Sequence, residues 1–258
     1  MGERHGDGSA GDADYGAIGR GYGGFRQPEP RIAALIHAAL GDARHILNLG
    51  AGAGSYEPTD REVAAVEPSA TMRAQRPAGL VPAIDATAEN LPFPDQHFDA
   101  AMATFTIHQW TDLARGLSEM RRVTRGPAVV LTCDPALVEA FWLADYAPLV
   151  LATEARRYPP LDRVGEALGA PFEIRSVPIP FDCRDGFNEA YYGRPERLLD
   201  PAARTACSAW SFVDAETAAR YVAHLQADLA SGAWDRAHGH LRSQPTYDGS
   251  PRLVVSTP

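Results

Sequence analysis

The sequence predicts an α/β protein, and three observations point to it. Short apolar runs suited to buried strands alternate with amphipathic stretches suited to helices. The first strand run, Ile46-Leu47-Asn48-Leu49, passes directly into Gly50-Ala51-Gly52-Ala53-Gly54, where the missing Cβ atoms let the backbone turn sharply and approach a ligand. The next apolar run, Val63-Ala64-Ala65-Val66, ends on Glu67, a carboxylate able to accept hydrogen bonds from both hydroxyls of a ribose. Together the glycine turn and the strand-end acid read as a nucleoside-cofactor site.

Residues 1–14 lack apolar periodicity and are expected to form a flexible tail. Over Pro30 to Leu40 a helix is expected, with Pro near its start and Ile32, Leu35, Ile36 and Leu40 at helical spacing. Strands are expected over 45–49, 62–67, 80–84, 98–104 and 127–133, with helices over 69–76 and 111–124 between them, which gives a mostly parallel sheet. Only about twelve residues, Pro58 among them, separate Gly54 from Glu67, so the crossover there has room for a helical turn or two at most. Beyond residue 134 the pattern lengthens into amphipathic stretches over 136–156, 201–210 and 214–230, broken by the turn-rich segment Pro178 to Gly186. These stretches read as a helical elaboration on the substrate side. Residues 171–177 and 252–257 are expected as an antiparallel pair at one edge, completing seven strands. The predicted organisation is one domain over 15–258, with a cofactor-binding half at 15–135 and a substrate-recognition elaboration at 136–250.

Composition narrows the function. With 24 basic against 33 acidic residues and a net charge of −9, neither a nucleic-acid backbone nor an anionic membrane is the expected partner, and a small molecule is. All 24 basic residues are arginine, which removes Schiff-base chemistry, pyridoxal-phosphate enzymes and the lysine of a phosphate-binding loop together. Cys133, Cys183 and Cys207 have no metal-site or disulfide spacing, and no run approaches the ~20 apolar residues of a membrane span. A cytoplasmic protein, monomeric or a homodimer, without a bound metal, is expected.

Further segments take on meaning beside the glycine turn: Ala88-Glu89-Asn90-Leu91-Pro92-Phe93-Pro94-Asp95, Phe98-Asp99, Ile107-His108-Gln109-Trp110 and Glu119-Met120-Arg121-Arg122-Val123. In this order and at these separations the chain resembles the class I S-adenosylmethionine-dependent methyltransferases, in particular the small-molecule branch of the ubiquinone/menaquinone-biosynthesis type. The resemblance covers residues 15–135. It implies a Rossmann-like fold and transfer of the methyl group of S-adenosylmethionine to an oxygen, nitrogen or carbon of a small metabolite, with S-adenosylhomocysteine as product. Carried over by position, Gly50, Gly52 and Gly54, with Ala51 between them, fall to the methionine part of the cofactor, and Glu67 with Pro68 falls to the ribose. Thr87 and Ala88 fall beside the adenine, and Thr104, at the end of the fourth predicted strand, falls to the cofactor site as well. Asn48 stands where the family commonly has an acid, keeping a hydrogen-bonding group without the charge. Tyr22, and after it Arg26, resembles part of the cover over the methionine end.

His108 follows the fourth predicted strand at its carboxyl end and is the candidate base, since an imidazole titrates near neutrality. Trp110, Asp182, Asp185, Tyr191 and Tyr192 are candidate substrate contacts, the last four in a dense polar and aromatic cluster over 182–195. The cluster reads equally well as a stabilising turn network. Trp142, Tyr146, Tyr158 and Trp210 read as core, Asp99 as structural, and His238-Gly239-His240 as solvated loop without a third ligand. Two other functions share the glycine turn: a methyltransferase-like protein that binds the cofactor without transferring its methyl group, and an NAD-dependent oxidoreductase, against which Ser55 stands where the dinucleotide fingerprint has Gly or Ala.

Overall fold

The computed structural model describes residues 22–169 and 171–258, with Tyr22 and Gly23 described by their backbone alone. The tail expected over 1–14 and the side chain of Tyr22 therefore lie outside the described residues. The strands are β1 (His45–Leu49), β2 (Glu62–Val66), β3 (Ala100–Thr104), β4 (Ala128–Cys133), β5 (Phe172–Ser176), β6 (Ile179–Pro180), β7 (Thr246–Tyr247) and β8 (Pro251–Ser256). Six of them form one sheet in the order β2-β1-β3-β4-β8-β5, while β6 and β7 pair separately. Neighbours from β2 to β4 run parallel, and β8 runs antiparallel to both β4 and β5.

The expected seventh strand over 80–84 is reduced to a single bridge between Val66 and Ile84. Ile84 donates to Ala65 O at 2.8 Å and accepts from Glu67 N at 3.0 Å, but Pro82, inside the expected run, has no N–H to extend a ladder along β2. Between Gly54 and β2 the chain is turns without a helix, so the crossover is shorter still than its length suggested.

Side-chain alternation along the strands splits the core into two layers. Ile46, Met102, Val129, Leu131 and Leu253 face one side of the sheet, and Leu47, Leu49, Ala101, Val130 and Val254 the other. The second layer is covered by α3 (Leu113–Arg122), whose Asp112 cap accepts from Arg115 N at 3.0 Å and whose Leu117 and Met120 are buried. Val164 and Leu168 also pack in this layer, while the first is covered by α1 (Pro30–Ala39), through Ile32 and Ile36, and by most of the elements after β4. These include α4 (Pro135–Glu139), α5 (Pro148–Arg157), α7 (Pro201–Thr205), α8 (Ala215–Ser231) and α9 (Ala233–His238). α2 (Ala70–Arg73) follows β2, and α6 (Leu161–Ala167) precedes β5. Trp142, Tyr146, Trp210 and Trp234 are buried in the same apolar cluster as the strands, so the elaboration extends the sheet's core rather than building a second one.

Two polar contacts lock this arrangement. Asp99 accepts from the backbone of Arg44 (3.0 Å) and His45 (2.9 Å), fixing the start of β1 against β3 at the end of the sheet remote from the glycine turn. Glu189 accepts from Ser250 N at 2.9 Å and from the Ser250 hydroxyl, joining the elaboration to the start of β8. Burial raises the Glu189 carboxyl from 4.5 to about 8. The folded protein keeps this proton where the unfolded chain has lost it. Its contribution is therefore complete below about pH 4.5 and declines as pH rises toward about 8, by at most ~1.4 kcal/mol per pH unit. Glu189→Gln, which mimics the protonated acid, is expected to flatten this decline. Melting temperatures measured near pH 5 and near pH 8 should fall by several degrees in the wild type and less in the variant; equal falls would remove Glu189 as the cause.

Candidate functional site

At the carboxyl end of β1 the chain turns through Gly50 (φ +61°) and Gly52 (φ +52°), a left-handed path that disfavours any residue with a Cβ. A Cβ on Gly50 would stand 2.0 Å from Thr106 Oγ1, so the loops after β1 and β3 touch there. Glu67, at the end of β2, holds the turn from the side. Its Oε2 accepts from Gly52 N and its Oε1 from Ser69 N, both at 2.8 Å.

These residues line a cleft of about 870 Å³, counted to its open mouth. One wall is Gly50, Ala51, Gly52, Ala53 and Ser55, and beside it are Glu67, Pro68 and Met72. Ala86, Ala88 and Trp110 also line it, as do Thr104, Phe105, Thr106 and Gln109 from the end of β3 and the segment after it. Arg26, Tyr56 and Asp185 complete the lining. Tyr56 donates to Asp185 Oδ2 at 2.8 Å, and Arg26 pairs with Oδ1 of the same carboxylate. Burial first, and then the adjoining carboxylate, raise the Tyr56 phenol well above its ordinary pKa, so it acts as a hydrogen-bond donor.

Several predicted residues stand outside this cleft. Asn48 is fully buried beneath the turn, donating to Glu57 Oε1 at 2.9 Å, while Glu57 Oε2 pairs with Arg76 at 2.9 Å. Gly54 faces Leu80, whose Cδ1 fills the space a Cβ would take. Thr87 lies between two lining alanines, its carbonyl accepting from Asn90 N at 3.2 Å in a turn. Trp110, by contrast, lines the cleft and packs over Gly116. Asp182 is exposed and pairs with Arg31 at 2.7 Å. Tyr191 and Tyr192 are core residues; the Tyr192 hydroxyl donates to Gln244 O at 2.7 Å. Asp185 alone of the 182–195 candidates lines the cleft. His108 lies in an adjoining cavity, its ring 4.9 Å from that of Tyr158. Burial, and then Arg157 and Arg26, push its imidazole well below the usual pKa, which weakens it as a base.

Sequence reasoning missed Tyr56, Phe105 and Gln109. Tyr56 (φ +66°) and Phe105 (φ +50°) owe their positions to backbone conformations rare for aromatic residues, which no local pattern announces. Gln109 carried a faint signal, lying between His108 and Trp110 in the segment already singled out. Both polar atoms of its side chain are buried without a partner among the described residues, and the residue lines the cleft. A donor and an acceptor left open in a cleft suit a ligand carrying both. Among the described residues no cluster of His, Cys, Asp or Glu is placed to hold a metal, and no helix is long and apolar enough to cross a membrane.

A parallel sheet with a glycine turn at the end of its first strand and a carboxylate at the end of its second defines a nucleoside-cofactor protein of the Rossmann-like class. Comparison with known proteins then specifies the family. A methyltransferase-domain family model matches residues 47–131. The crystal structure of a putative methyltransferase from an antibiotic biosynthesis pathway of Anabaena variabilis superposes with a TM-score of 0.84 at 31% identity, covering 91% of this chain and 99% of that one. A malonyl-[acyl-carrier protein] O-methyltransferase of Pseudescherichia vulneris is 31% identical over 129 residues, 46% of this chain and 51% of that protein. A ubiquinone/menaquinone biosynthesis C-methyltransferase of Enterobacter sp. is 34% identical over 90 residues, 34% of this chain and 33% of that protein. The chain thus spans about half the length, or less, of these curated relatives. It belongs to the class I S-adenosylmethionine-dependent methyltransferases.

Proposed function

We propose that the protein transfers the methyl group of S-adenosylmethionine to a small-molecule acceptor and releases S-adenosylhomocysteine. The observation that carries this reading is the Glu67 carboxylate beside the Gly50–Gly52 turn, with each oxygen anchored by one backbone N–H and the group still lining the cleft. In this reading Glu67 binds the ribose, and Gly50, Ala51 and Gly52 receive the methionine part under the cover of Tyr56 and Arg26. Ala86, Ala88 and Trp110 flank the adenine. The cofactor brings an already activated methyl group, so the tasks left to the side chains are to orient the acceptor, exclude water and take up a proton.

Calorimetric titration with S-adenosylhomocysteine, S-adenosylmethionine and NADH tests the reading. Both sulfur compounds should bind, and NADH should not. Tight NADH binding without either sulfur compound would overturn it.

A further inference from the structure

Adjoining the cofactor cleft is a second, smaller cavity, and Arg26 and Phe105 line both spaces. Cys133, at the end of β4, borders it, as do His108 and the α5 residues Glu154 and Arg157. Phe105, Tyr158 and Phe187 supply aromatic walls.

Glu154 is the informative member. A carboxyl in such a place destabilises the fold unless it is fully partnered, so its presence calls for a reason. Its Oε2 accepts from Asn188 Nδ2 at 2.6 Å, and Asn188 Oδ1 accepts from Trp210 Nε1 at 3.1 Å, so a buried chain of hydrogen bonds sets its orientation. The other groups facing it are poorly suited to take a proton. Burial keeps the Cys133 and Cys207 thiols and the Tyr158 phenol protonated, and His108 is weakened by burial and two guanidinium groups. Burial raises the Glu154 carboxyl itself, opposed by Asn188, Arg157 and Arg26, which makes it a stronger base than an exposed carboxylate.

Resting on the methyltransferase reading, we infer that this second cavity is the acceptor site and takes a phenol, whose hydroxyl proton passes to the Glu154 carboxylate. The aromatic walls suit a ring. The guanidinium groups of Arg26 and Arg157 disfavour an ammonium and favour the oxygen anion left when a phenol ionises. The hydroxyl proton goes to Glu154, an oxygen lone pair forms the bond to the methyl carbon, and the carbon–sulfur bond pair stays on sulfur. The products are a methyl ether and S-adenosylhomocysteine.

4-Nitrophenol is the probe, because its anion absorbs visible light. With S-adenosylhomocysteine bound, the wild type should bind it and show the anion band at a pH at least about one unit below that of the free probe. Calorimetry in two buffers of different ionisation enthalpy should detect almost no proton released by the wild type, since Glu154 retains it. Glu154→Gln should release close to one proton per bound anion. Arg157→Met should move the band back toward the pH of the free probe. Retained S-adenosylhomocysteine affinity in both variants shows that the fold is intact; should Glu154→Gln not fold, the wild-type band and Arg157→Met decide. No binding of 4-nitrophenol, tighter binding of benzoate or aniline, or equal proton counts in wild type and Glu154→Gln would overturn the inference. Failure of the wild type to bind S-adenosylhomocysteine would instead overturn the methyltransferase reading.

Discussion

Glu67→Ala is expected to weaken S-adenosylhomocysteine binding on the order of 100-fold, by removing two kinds of contact at once. The carboxylate accepts from Gly52 N and Ser69 N at 2.8 Å each, and it faces the cleft where the ribose hydroxyls are expected. Hydrogen bonds to a charged group contribute about 1.5–3 kcal/mol each, and about 1.4 kcal/mol is tenfold in affinity. Losing the ribose contacts and loosening the turn therefore reaches about 3 kcal/mol. Glu67→Gln should be nearly as damaging, because one of its ends would present an N–H to a backbone N–H. Calorimetry on both variants, with thermal melts of the unliganded proteins to separate folding from binding, checks the expectation. An affinity within about threefold of wild type would show that Glu67 only braces the loop.

Gly50→Ala is expected to abolish cofactor binding and lower stability by about 2–4 kcal/mol. Its φ of +61° costs an L-residue about 1–2 kcal/mol, and the new Cβ would lie 2.0 Å from Thr106 Oγ1, so one loop must move. At this chain length the loss corresponds to a fall in Tm of roughly 5–15 °C. Gly52→Ala is the internal control. Its φ is also positive, but its Cβ would meet only Met72 Cε at 3.4 Å, so its cost should be mainly conformational. Combining Gly50→Ala with Thr106→Gly should recover the steric part of the loss. If the single variant melts like the wild type, the two loops are not in fixed contact.

What the sequence displays well is whatever depends on near neighbours along the chain. The apolar runs of β1 and β4, the glycine turn and the acid ending β2 are local patterns, and they stand where those patterns put them. The missing ladder at 80–84 is legible too, in the Pro82 that interrupts the apolar run. The contact among Arg26, Asp185 and Tyr56 was only partly legible. Arg26 and Asp185 each stood out as a candidate, but that they meet across 159 residues, and that Tyr56 joins them, follows from no local pattern. The Tyr191-Tyr192 pair misled for the complementary reason: a run rich in Asp, Gly and Arg resembles a surface loop, yet its tyrosines stack inward, Tyr192 against Tyr247 at 5.1 Å. His108 was read at the right strand end, but a three-residue turn aims it behind the cleft while Gln109 and Trp110 face it.

The buried Asn48–Glu57–Arg76 chain bears on the thermodynamics of ligand capture. An aspartate at position 48 would oppose Glu57, whereas the asparagine amide donates to it, and Glu57 is held in turn by Arg76. The glycine turn thus rests on a network that forms when the protein folds, before any nucleoside arrives, with Asn48 Oδ1 and Arg76 Nη1 left unpartnered in it among the described residues. The entropy lost in ordering the loop belongs to folding and not to binding. Amides of residues 50–54 should therefore already be protected from hydrogen exchange without ligand, and cofactor should add little further protection there.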